Sequence, residues 1–136
     1  MMVGSLFILK CSIRWGSLSK LTSSTSTQSQ YSSLNFFNYD AHEYLLDERL
    51  ATNSVLEHFV PVEPPYSYGD ILFFLNAKTG DAYHSCIQLA DNLVYTKNGR
   101  NLLSPWVIMR REDLEKVYLY RGDGRVQGFR RKPLTH

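Results

Sequence analysis

The chain has 136 residues, 43% of them hydrophobic and 21% charged, and a net charge of +2. This is enough for one domain with a real core and too little for two, and the balance argues against both a disordered chain and a membrane bundle. The charge is uneven: residues 1 to 39 carry +3, residues 40 to 109 carry −5, and the remainder carries +4. Nine Tyr, seven Phe and two Trp favour strand-rich structure, because aromatic side chains fit a pleated, half-buried surface.

In chain order, "MMVGSLFIL" is apolar, but no positive charge precedes it and Lys10 interrupts it. It makes a poor signal peptide and is too short to span a bilayer. Residues 1–16 read as an N-terminal segment, and "CSIRWGSLSKL", which starts in it and runs to Leu21, allows a short helix carrying Cys11, with Gly16 weakening it by about 1 kcal/mol relative to Ala. Residues 17–33 hold eleven Ser or Thr in seventeen positions, a composition that points to a mobile loop. A single α+β domain is then expected over 34–136.

Within that domain "DAHEYLLDERLA" reads as a helix, with Asp40 as N-cap and Glu43 three residues on. "SVLEHF" extends it, and the prolines of "VPVEPPY" then impose extended backbone. "ILFFL" has the length and residue types of a central strand, and "NAKTGD" is a turn in which Gly80 can take positive φ. "AYHSCIQLA" is the next strand, with His84, Cys86 and Gln88 on one face and Tyr83, Ser85, Ile87 and Leu89 on the other. "LVYTK" returns after "DN". "REDLEKVYLYR" reads as a helical turn followed by a strand, and "GFRRKP" as a solvated basic tail. The order implies a helical part packed on a small antiparallel sheet.

Cys11 and Cys86 make no disulfide framework, and four scattered histidines supply no zinc spacing, so neither metal nor cofactor is expected. The aromatics lie in strands instead of among the basic residues, which disfavours a nucleic-acid module. His84 opens a strand on its more polar face, and an ionisable ring there is either a hydrogen-bonded structural group or part of a site.

The stretch "YGDILFFLNAKTGDAYHSCIQLADNLVYTKNG" resembles the NlpC-type papain-fold cysteine peptidases and amidases. In that family a Gly-Asp-hydrophobic strand is followed by a strand-opening histidine, and the strand after it supplies a polar group that orients the ring. The "KNG" and "SPW" phrases are similar to a poorly characterised bacterial branch. The resemblance covers about thirty-five residues and implies a papain-like fold, with His84 as catalytic histidine and Cys11, the only upstream cysteine, as nucleophile. The orienting residue falls on Thr96 by spacing or on Asn98 by chemistry, with Asn98 preferred. Cys86 reads as a structural thiol and Asp70 as a structural carboxylate bonding the loop backbone.

The activity implied by the resemblance is that of a thiol hydrolase of peptide or amide substrates, peptidoglycan peptides among them, placed in the cell envelope or secreted. The alternative is a catalytically inactive binding or scaffold domain on the same sheet. The unfamiliar setting of Cys11 favours the alternative.

Overall fold

The apolar run Ile71–Asn76 forms β2, near the middle of a six-stranded sheet in the order β1-β6-β2-β3-β4-β5. The computed structural model describes residues 24–97 and 106–133. Along them run α1 (Ser24–Leu34), a 3₁₀ turn (Glu43–Leu46), α2 (Glu48–His58), β1 (Phe59–Val62), β2, β3 (Ala82–Ala90), β4 (Leu93–Lys97), β5 (Trp106–Arg110), α3 (Arg111–Tyr118) and β6 (Gly124–Arg131). All the strand pairs are antiparallel. The mixed α+β class expected from the sequence is therefore present.

β2 is buried on both faces, so its residues are apolar without alternation. Ile71, Phe73 and Leu75 pack with Ile87 and Phe129 beneath α1 and α2, where Leu34, Ala51 and Val55 close the layer. Leu72 and Phe74 pack with Cys86 and Val94 beneath α3, closed by Leu114. The sheet is thus a middle layer between helices.

Four local readings are corrected. The Ser/Thr-rich stretch is not a loop throughout, because α1 begins at Ser24. Its polar residues find partners on the sheet: Ser85 Oγ donates to Ser33 Oγ at 2.9 Å, and Gln30 Nε2 donates to Ala82 O at 3.3 Å. Composition measures apolar surface, and these hydroxyls and amides are buried by pairing.

The helix expected from Asp40 is broken. Glu43–Leu46 is a 3₁₀ turn, and α2 is capped by Asp47, whose carboxylate accepts from Leu50 N–H at 3.0 Å. Two acceptable caps lie seven residues apart, and the turn after α1 selects the second. There Asn35 Oδ1 accepts from Asn38 Nδ2 at 2.9 Å and from His42 N–H at 2.8 Å, holding His42 in extended backbone just before the 3₁₀ turn.

"KVYLYR" is not a strand, since α3 continues through Tyr118, with Leu114 and Tyr118 one turn apart on its buried side. The basic tail is not a solvated end either. β6 inserts between β1 and β2, with Val126 beside Phe74 and Phe129 beside Ile71. Its buried centre, Gln127 to Phe129, is flanked in sequence by Arg125, Arg130 and Arg131.

The Gly-Asp pair before β2 has a clear physical reason. Gly69 has φ 88°, and a Cβ there would lie 2.7 Å from the Phe37 ring, so only glycine fits. Asp70 is buried and accepts from Ser67 N–H at 2.7 Å, while Arg130 donates to both its oxygens at 2.9 Å. Asp70 is thus a structural carboxylate, as expected. Gly80 also takes positive φ, 78°, in the turn assigned to it.

Candidate functional site

β3 carries His84 next to a bulge. Phe74 pairs with His84 but Leu75 pairs with Ala82, which leaves Tyr83 as the extra residue. The bulge turns Tyr83 onto the His84 face, against the expected alternation, and its hydroxyl donates to Tyr118 O at 2.9 Å.

The His84 ring is 1% exposed. Tyr118 stacks on it at 4.0 Å between centroids with an 11° interplanar angle, and Phe74 meets it edge-on at 5.7 Å. His84 Nε2 and Thr96 Oγ1 share a 2.7 Å hydrogen bond, in which either can donate according to the imidazole tautomer. Burial lowers the His84 pKa to about 3, so the ring is neutral across the physiological range.

Cys86 stands two residues further on the same face and is fully buried. Burial pushes its thiol far above the ordinary range, with Arg111 opposing and Glu115 adding to the rise. A thiolate does not form in such a place, and Cys86 is a core residue. Gln88, the third residue of this face, is equally buried and donates from Nε2 to Asp91 O at 2.8 Å. The polar face expected to border solvent or a site is instead the layer beneath α3.

Of the three residues assigned catalytic roles, only His84 falls within the described residues. Cys11 and Asn98 lie outside them. Thr96, the residue placed by spacing, is the one bonded to the ring. α1 and α2, the described α-helices upstream of the sheet, pack on the opposite face from His84, α1 at Ser85. A helix ended a turn early leaves Tyr118 out of the site, although the Leu114–Tyr118 spacing carries the signal for it.

A second feature was not foreseen. Beside the C-terminal half of α1, Tyr31, Phe36, Tyr95 and Trp106 line an open cleft of about 420 Å³ with Ser32 and Asn35. Tyr95 and Trp106 are stacked at 5.0 Å with planes 19° apart, and Phe36 lies 5.7 Å from Tyr95. Among the described residues no charged side chain lines the cleft. Asn35 is held by its own turn, donating to Tyr31 O at 3.0 Å while its oxygen serves Asn38 and His42. Among the described residues no cluster of His, Cys, Asp and Glu could hold a metal, and no helix is long and apolar enough to cross a membrane.

Comparison with family models, curated proteins and solved structures returns no match for this chain.

Proposed function

We propose that the described body is a binding domain that keeps an NlpC-like sheet without a working Cys–His pair. The observation that carries this reading is the enclosure of His84 between Tyr118, Phe74 and Thr96. A general base must reach the proton that it takes, and a ring covered on one face, met at its edge and bonded at Nε2 is occupied in holding α3 to the sheet. The surface offered to a ligand is the cleft beside α1. Its rings give stacking area, and the uncharged lining among the described residues suits a small neutral ligand.

A thiol hydrolase acting on peptide or amide groups, peptidoglycan peptides included, is the second reading, in a papain-like arrangement. One observation favours it: Thr96 holds the His84 ring from the returning strand, where the family places its orienting group. Cys11 would then be the nucleophile, with Asn98 a further partner for the imidazole.

Iodoacetamide labelling separates the two. In a binding domain both thiols react slowly at neutral pH, Cys86 only on unfolding, and His84→Ala does not slow Cys11. A Cys11 that reacts much faster than a free thiol, and loses that rate in His84→Ala, establishes the hydrolase instead.

A further inference from the structure

The sheet has two edges, and they are not alike. At one edge Lys132 N–H donates to His58 O at 2.8 Å, continuing the β1–β6 ladder. The alternation of an antiparallel ladder then turns Val60 and Val62 inward and leaves Phe59 and Pro61 with outward backbone groups. Pro61 has no N–H, so this edge lacks a donor that an added strand would need.

At the other edge Arg111 N–H donates to Asn92 O at 2.7 Å, continuing the β4–β5 ladder. The same alternation pairs Val107 and Met109 with β4 and points the backbone groups of Trp106, Ile108 and Arg110 outward. Among the described residues β5 is the terminal strand. It contains no proline and no lysine, and Ile108 at its centre is 63% exposed. Its pairing with β4 also runs without a bulge that would twist the edge away.

We propose that the outer edge of β5 is a self-association surface, at which a second copy of this chain adds its own β5 antiparallel about a twofold axis through Ile108. The strand is complementary to itself in that register. Ile108 meets the partner's Ile108, apolar on apolar, and Trp106 meets the partner's Arg110 at both ends. A guanidinium over an indole is an attractive pairing, and the twofold repeats it. Arg110 is available for it, because its 3.3 Å contact with Asp113 is between exposed side chains and holds it weakly. Shifting the register by two residues would set Arg110 against isoleucine and lose both cation–ring pairs. About six ladder hydrogen bonds form in the symmetric register, two from the central pair and two from each flanking pair. Five-residue edges bury less area than a permanent dimer needs, so the association is weak and concentration-dependent.

Sedimentation velocity of the full chain, from low micromolar to millimolar concentration, tests this. A monomer–dimer equilibrium is expected, with Kd raised at least about tenfold in Ile108→Pro, which removes only an outward N–H and leaves the β4 pairing intact. If far-UV circular dichroism shows that this variant does not fold, Ile108→Lys gives the same weakening without touching the backbone. Hydrogen exchange adds a positional readout. The amides of Trp106, Ile108 and Arg110 should gain protection with concentration, while those of Val107 and Met109, already bonded to β4, stay unchanged. A monomer at every concentration overturns the proposal. So does a dimer whose Kd neither variant alters.

Discussion

The two faces of the sheet are built from the same strands and solve burial differently. Beneath α1 neutral groups pair: Ser33 and Ser85 bond each other, and Gln30 reaches a backbone carbonyl. Beneath α3 a titratable ring is sealed in, stacked on Tyr118 and tied to Thr96. Hydroxyl pairs keep their charge state at any pH at which the protein folds, whereas an imidazole does not. The contrast places an acid-sensitive ring beneath α3 and neutral hydrogen-bonded pairs beneath α1.

The largest test truncates each face in turn. Phe74→Ala under α3 and Phe73→Ala under α1 each remove a fully buried ring from the same strand. Each should lower unfolding free energy by about 3–5 kcal/mol in urea titrations, since both leave a cavity that neighbouring rings cannot fill. A loss confined to one variant would show that the two layers are not equally packed, and the comparison would have to be redrawn.

pH sharpens the contrast next. The unfolded chain protonates His84 near pH 6.5, whereas the folded chain does so only near pH 3. Between these values the unfolded state binds more protons, so stability falls as the solution is acidified through this window. His84 contributes a slope of up to about 1.4 kcal/mol per pH unit there, its stabilising effect being fully present above pH 6.5. His84→Asn should remove that component when denaturation is followed at several pH values, and Ser85→Ala should not. An unchanged slope in His84→Asn would mean that the ring titrates freely in the folded chain.

Hydrogen-bond deletions come lower in the order. Thr96→Val leaves His84 Nε2 without its partner in a dry layer, at a cost of about 1–3 kcal/mol. The variant should also move the His84 resonances in two-dimensional NMR. Ser33→Ala should cost about 0.5–1.5 kcal/mol, because the surviving Ser85 hydroxyl can rotate towards other acceptors. Equal losses in both would remove the distinction between the two faces.

What could be read in advance tracks the range of the forces involved. "ILFFL", the turn at Gly80, the hairpin through Asp91 and Asn92, and the mixed α+β class were legible, because strand length, turn chemistry and apolar runs are local properties. Asp70's structural reading came from the family resemblance, and the loop supplies its physical reason: a carboxylate beside positive-φ Gly69 bonds its own loop. α1 was not legible, because Ser33 and Gln30 find their partners some fifty residues away, at Ser85 and Ala82. The start of α2 was ambiguous between two caps, and a side chain from the preceding turn decided it.

The sequence by itself determined that a histidine opens a strand and that a polar residue stands on the returning one. Only the tertiary structure decided what that histidine faces. A one-residue bulge at Tyr83 and one additional turn of α3 place Tyr118 on its ring, and neither can be derived from spacing along β3. The position of β6 was likewise a tertiary decision. Arginine-rich residues near the chain's end become an inner strand because Arg130 has a buried carboxylate to bind and Phe129 has Phe73 to pack on. Local pattern fixes which residues can form strands and helices, but burial depends on what the rest of the chain brings alongside.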